Sequence, residues 1–219
     1  MLGCSFTHRR RERWHYINVK SSLLSSTTAM SAELNELADV LRPLQKIPQP
    51  QTATILIVGA DGTPKKEFAE SMLNTIASYK LQIRLAKYLP LPIANDDQRP
   101  NLDFIVFLLE MNNAQSITSV HDSLKYLDTT YFLGRVCFVV NQASNDSIHC
   151  TDITDITRLC DSFDSPMLSG NLQTEEDRTI LARQVTQMME IAAGMKTDLS
   201  PLLVQATGQS YQYMPDGDT

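Results

Sequence analysis

Apolar and polar positions divide the chain into short blocks of two alternating kinds. "TATILIV", Thr52 to Val58, is continuous and β-branched and is closed by Gly59, which predicts a buried strand. From Pro64 to about Lys80, Phe68, Met72, Leu73 and Ile76 recur at helical spacing. Thr63 is the expected N-cap of that helix and Pro64 its first residue, where a missing N–H costs nothing. "LQIRLAK" alternates Leu81, Ile83 and Leu85 with Gln82, Arg84 and Lys87, the pattern of a half-exposed strand near a sheet edge. The prolines of Tyr88–Pro100 exclude regular structure there.

"LDFIVFLLEM" is apolar almost throughout and predicts a central strand. Ser116–Asp128 follows as a helix with Ile117, Val120, Leu124 and Leu127 inward, and "RVCFVVN" is the next central strand. Thr151–Phe163 is helical through Ile153, Ile156, Leu159 and Cys160, and "PMLSGNL" is a short last strand. Thr174, with Asp177 three residues on, is a near capping box. It opens a helix whose stripe is Ile180, Leu181, Val185, Met188, Met189 and Ile191, closed by Gly194. Five alternations of strand and helix demand an α/β fold: a mostly parallel sheet with helices on both faces. A short helix at Ala32–Leu41 precedes an irregular lead-in marked by Pro43, Pro48 and Pro50.

Composition adds little to this picture and charge adds more. The 219 residues are 42% hydrophobic and 20% charged, ordinary for a globular chain with one sizeable core. A net charge of -6 argues against a surface built to grip DNA or anionic lipid. No apolar run approaches the roughly 18–20 residues of a membrane span. Met1–Ala29 carries Arg9, Arg10, Arg11, Arg13 and Lys20 against Glu12, so the head is basic and the remainder strongly acidic. Acid-poor, serine-rich heads of this kind also occur as transit peptides, which leaves a mitochondrial reading open. The simpler expectation is a start at Met30 or thereabouts, with residues 1–38 and 208–219 disordered around one domain, 39–207. Four cysteines (Cys4, Cys137, Cys150, Cys160) show no paired spacing and fit a reducing compartment. His149, Cys150 and Cys160 match no familiar zinc pattern and lack a fourth ligand.

The stretch after the first strand, "GADGTPKK", is nearly a phosphate-binding loop. Laid on Gly59, the pattern G-x-x-x-x-G-K-[ST] meets Pro64 in place of the second glycine and Lys66 in place of the hydroxyl; only Lys65 agrees. Pro64 has no N–H to give a phosphate. Lys66 stands where Mg²⁺ would be held. A cation about 4 Å from a divalent ion, at an effective dielectric of about 20, is repelled by roughly 8 kcal/mol. Lys65 and Lys66 also lie in a first helical turn, where the dipole disfavours each by about 0.3–1 kcal/mol. A bound anion would reverse that sign, and solvated stems would need none. The base-reading N-K-x-D becomes "NQAS": Asn141 matches, while Gln142 and Ser144 carry no charge. No D-x-x-G is present, and "SGN" (Ser169–Asn171) stands where S-A-K would follow the last strand.

Strand, loop and helix order, with the turn Asn112, Asn113 and Ser116, resembles the small GTPases. A more specific resemblance is to the centromere protein M family, GTPase-shaped subunits of the inner kinetochore. It is carried by "VLRPLQKIP" (Val40–Pro48), "TATILIVG" (Thr52–Gly59), "LAKYLPLP" (Leu85–Pro92), "IVFLLEMN" (Ile105–Asn112) and "YFLGRVCF" (Tyr131–Phe138). "SPMLSGNL" agrees more loosely, and the match covers roughly Asp39 to Gln205. The resemblance implies a pseudo-GTPase in the nucleus, at the centromere and kinetochore. Such a subunit has no enzymatic activity, no cofactor and no metal, and it works in a complex with centromere proteins H, I and K. The helical-repeat protein I is the expected direct partner. Lys65 departs from that picture and keeps an alternative open, a degenerate but active NTPase. Apolar residues outside strands and helix stripes are the expected partner surface: Tyr131, Phe132 and Leu133 before a strand, and Leu199, Leu202 and Leu203 after the last helix.

Overall fold

A computed structural model describes residues 40–43, 51–75, 78–91, 101–142 and 152–196. The strands are β1 (Thr52–Gly59), β2 (Lys80–Ala86), β3 (Phe104–Glu110), β4 (Val136–Asn141) and β5 (Met167–Gly170). The helices between and after them are α1 (Lys65–Thr75), α2 (Ala114–Leu124), α3 (Ile153–Ser162) and α4 (Glu175–Ala192), with a 3₁₀ turn at Thr129–Phe132. All five strands are parallel, in the order β2-β1-β3-β4-β5. The α/β architecture with a small-GTPase-like outline is therefore the observed one.

The two continuous apolar runs form the middle of this sheet because both of their faces are covered. β3 is buried along its whole length, as is β4. Leu56, Phe107, Phe138 and Val140 face one core layer with Val120 and Leu124 of α2 and Ile156 and Cys160 of α3. Phe107 and Phe138 stack there at 5.6 Å. Ile55, Ile57, Val106 and Val139 face the other layer with Phe68 and Met72 of α1 and Leu181, Val185 and Met189 of α4. β2 is the edge strand its alternation predicts, with Lys80 and Leu85 exposed and the rest half-buried.

Boundaries differ from expectation in ways that hydrogen bonds explain. α1 begins at Lys65, not Pro64, and the Thr63 hydroxyl donates backwards to the Ala60 carbonyl at 2.9 Å instead of capping. Pro64 instead supplies the carbonyl that accepts the first helical bond, from Phe68 N–H at 3.0 Å. α1 is described to Thr75 and does not reach Lys80: Ser78 and Tyr79 are not helical, and Lys80 is already bonded into the sheet. Leu73 and Ile180, expected inward, are exposed at 49% and 47%. Leu127 is buried but lies beyond α2, where it bridges Leu41. The near capping box does not close: Asp177 accepts from Asn171 N–H, and the Thr174 hydroxyl donates to the Asn171 carbonyl. Gly194 does end α4. At φ +69 it donates to Ile191, and Met195 donates to Glu190, the paired bonds of a Schellman motif.

Strand order reverses between β1 and β3, so the crevice at the carboxyl ends of these strands is where an open α/β sheet holds a ligand. The loops after β1 and β3, with Gln142 after β4, form the described part of its rim. The predicted helix does not reach Leu41: Val40 and Leu41 are not helical, and Leu41 bonds instead to the segment at Tyr126–Asp128. Residues 32–39 of that helix, the basic head, most of the proline loop, Ile76, Ser144, His149, Cys150 and the carboxyl-terminal tail lie outside the described residues.

Candidate functional site

Gly59 ends β1 against β3. A Cβ there would sit 3.1 Å from the Leu108 carbonyl oxygen and 3.1 Å from the Thr63 hydroxyl, so the close approach favours glycine. Gly62, at φ +84, turns the loop back toward α1. This brings the one residue that matches the phosphate pattern, Lys65, into the hollow. Its ammonium donates to the Gly59 carbonyl, to the Ala60 carbonyl at 3.1 Å and to the Ala86 carbonyl at 3.3 Å. An ammonium has three N–H donors, and all three are taken.

That arrangement inverts the polarity of a phosphate cradle, which presents backbone N–H groups and a free cation to an anion. This hollow presents carbonyl oxygens, and a cation fills it. Burial holds the Lys65 amine below its ordinary value; Asp61 opposes that shift and Lys87 adds to it. Asp61 and Lys87 form an exposed ion pair across the mouth. Pro64 is buried and Lys66 is exposed. Lys66 stands in place of the hydroxyl for magnesium, Pro64 has no N–H to give, and a cation already fills the hollow, so the residues present do not fit a magnesium triphosphate.

The second corner lies at the ends of β3 and β4. Asn141, the surviving base-reading residue, is fully buried. Its amide donates to both oxygens of Glu110, at 2.9 and 3.0 Å, and its carbonyl accepts from Leu172 N–H at 2.7 Å. The Glu110 N–H in turn donates to the Ser116 hydroxyl at 3.1 Å, while Asn113 caps α2 through Gln115 N–H. Burial pushes the Glu110 carboxyl above its ordinary value, and the Asn141 hydrogen bonds pull it partly back. Gln142 takes φ 61 and donates its N–H to Gly170 at 3.0 Å. Asn141 thus ties β3, β4 and the loop after β5 together, and both ends of its amide are engaged internally. Sequence reading identified Asn141; it missed Glu110, which looked like one polar residue at the end of an apolar run.

At the opposite end of the sheet lie Tyr131, Phe132 and Leu133, three of the residues expected to meet a partner. Tyr131 is buried and donates its hydroxyl to the Leu102 carbonyl at 3.2 Å, so it belongs to the core and not to the surface. Phe132 is half-buried and stacks on Phe163, ring centres 4.7 Å apart. Leu133, next in the chain, is 44% exposed. Asp128 holds the 3₁₀ turn beneath it by accepting from Thr130 N–H, and Arg42 lies 3.8 Å from the Asp128 carboxylate. Leu199, Leu202 and Leu203 fall outside the described residues. Of the zinc candidates, Cys160 is described; its thiol is buried, which pushes it up to about 12.

Comparison with known proteins connects these features. The family model described as Centromere protein M (CENP-M) matches residues 38–211. Centromere protein M of Homo sapiens is 36% identical over 164 residues, 74% of this chain and 89% of that protein. The Bos taurus protein of the same name is 37% identical over 163 residues, again 74% and 89%. That of Xenopus laevis is 33% identical over 163 residues, 74% and 90%. With nearly the full length of each relative aligned, the chain belongs to the centromere protein M family.

Proposed function

We propose that this protein is a non-catalytic adapter of the inner kinetochore, working in the nucleus at the centromere. It binds and stabilises centromere protein I within a complex that also holds centromere proteins H and K. Family membership supports the centromeric role. The observation that carries the non-catalytic part is the saturation of Lys65: its three donors are spent on Gly59, Ala60 and Ala86, where a nucleotide protein would keep them for phosphate. A fold that retains this outline without a ligand has its surfaces left to work with, and exposed Leu133 beside the half-buried Phe132–Phe163 stack is apolar surface of the kind that partners use.

Co-purification with centromere protein I tests the partner. The full chain is expected to bring down centromere protein I. Leu133→Glu is expected to weaken this by a hot-spot margin of about 2 kcal/mol or more while leaving a folded protein. Retained binding by that folded variant would remove Leu133 from the partner surface; no binding by the wild-type chain would remove the partner. A thermal shift screen tests the empty cradle. A nucleotide at 100 times its dissociation constant would add about 2.7 kcal/mol of stability. GTP and ATP with magnesium are expected to add nothing, and a clear rise would restore the NTPase reading.

A further inference from the structure

The edge strand β2 pairs with β1 on one side, in unbroken register from Thr52↔Lys80 to Val58↔Ala86, and among the described residues nothing pairs with its other side. Roughly half the backbone N–H and C=O groups of such a strand face outward, which makes it a template for another strand. Native edges are commonly blunted by a bulge, a proline or a twist away from the sheet. β2 keeps an unbroken register and contains no proline, and the charges it carries are Lys80 and Arg84. At its last residue the Ala86 carbonyl accepts from the Lys65 ammonium, which also binds the carbonyls of Gly59 and Ala60.

The side chains along this edge divide by face. Leu81, Ile83 and Leu85 lie toward α1, and Leu85 is 41% exposed. Leu73 of α1 extends that apolar margin. Ser71 meets Arg178 of α4, so the flank of α1 that carries Leu73 and, two turns earlier, Lys66 turns away from α4 toward the β2 edge. The opposite face of β2 carries Lys80 and Arg84, neither of which is paired with a carboxylate among the described residues. An otherwise acidic chain therefore presents one edge that is apolar on one face and basic on the other.

We propose that the outer edge of β2 is a strand-addition site for an extended segment of a partner protein whose apolar residues alternate with acidic ones. The added strand takes its main-chain bonds from the outward groups of Lys80–Ala86. It sets its apolar side against Leu73 and Leu85 and its carboxylates against Lys80 and Arg84. Main-chain bonds supply the affinity and the two faces fix the register. The site is three strands from Leu133 and independent of it, since β4 follows β1 and β3 in the sheet order.

The experiment uses the full chain and a short fluorescein-labelled peptide of alternating valine and glutamate, followed by anisotropy and by hydrogen exchange of Lys80–Ala86. The expected result is saturable binding, with slower exchange in that strand. Lys80→Glu with Arg84→Glu, in a protein whose melting is unchanged, is expected to weaken binding by about tenfold or more. The same peptide N-methylated at alternate residues is expected to lose it, and a valine–lysine peptide is expected not to bind. Absence of binding by the valine–glutamate peptide overturns the proposal. So does equal binding by the charge-reversed variant, which would place the peptide elsewhere, or by the N-methylated peptide, which would reduce the contact to charge. Outer amides of β2 already protected in the free protein would mean that the chain's own segments fill the edge, and this too overturns it.

Discussion

The rim of the sheet has two corners where a nucleotide protein would hold phosphate and base, and the two are closed by different chemistry. At the β1 corner a long, half-buried side chain swings its ammonium onto three carbonyls, with an exposed ion pair across the mouth. At the β4 corner a short, fully buried amide joins a buried carboxylate to a backbone N–H two elements away. Water can replace the first set of contacts when they open. It cannot reach the second without separating β3, β4 and the loop after β5. The same outline thus holds one fastening that is half-open to water and one that is closed to it. Charge does not decide which is which; access to solvent does.

The sharpest way to break this comparison is Asn141→Ala. It leaves the Leu172 N–H without its acceptor and the Glu110 carboxylate without either donor, in a site closed to water. The expected cost is about 3–4 kcal/mol in denaturant unfolding, a large share of the stability of a domain this size. A cost under about 1 kcal/mol would show that the corner is wet and the distinction false.

Glu110→Gln tests the same corner more gently. The glutamine keeps an acceptor for Asn141 and removes the buried charge. Burial raises the folded carboxyl above the unfolded value of 4.5, so the folded state holds more protons in the window above that value. Stability from this group is therefore complete below pH 4.5 and lost as pH rises through the raised folded value. Asp103 contributes a slope of the same sign, since burial raises it too, against hydrogen bonds from Thr54 and Asn101. The variant is expected to lose part of that decline and to be no less stable than wild type at neutral pH. A variant that loses stability equally at pH 4 and pH 7 would show that the carboxylate is needed charged.

How much of this could be read beforehand follows from where each signal is local. The continuous runs of β1, β3 and β4 are legible because burial on both faces leaves few polar positions, and the half-polar β2 marks one edge of the sheet, though not the order of the rest. Leu73 and Ile180 misled because helical spacing marks a stripe but not its width: α1 and α4 pack on each other, and residues beyond that contact stay exposed. Tyr131 misled for the opposite reason. It precedes a strand in an irregular segment, and only the Leu102 carbonyl, far away in sequence, shows why it is inside. At the cradle, the misfit of Pro64 and Lys66 was legible from the motif alone. That Lys65 bonds Ala86 was not, since no local pattern says that β2 ends beside β1. Glu110 was hidden likewise: its partner Asn141 comes from another strand.

The smallest expected effect belongs to Lys65→Met, which keeps the aliphatic stem and deletes the ammonium. Gly59, Ala60 and Ala86 lose a donor, but these contacts are only partly buried, and water can take its place. The desolvation that lowers the lysine's affinity for its proton is relieved at the same time, which offsets part of the loss. The net cost is expected to be about 1 kcal/mol or less. The change should be local: faster hydrogen exchange near Ala86, with β3 and β4 unchanged. It also separates two meanings of the residue. If Lys65 only fastens the end of the edge strand, the methionine variant binds centromere protein I as wild type does and shows no altered response to GTP. If the lysine serves an anion, the wild-type protein gains stability with triphosphate and the variant does not, and the two corners would then differ in function as well as in access to water.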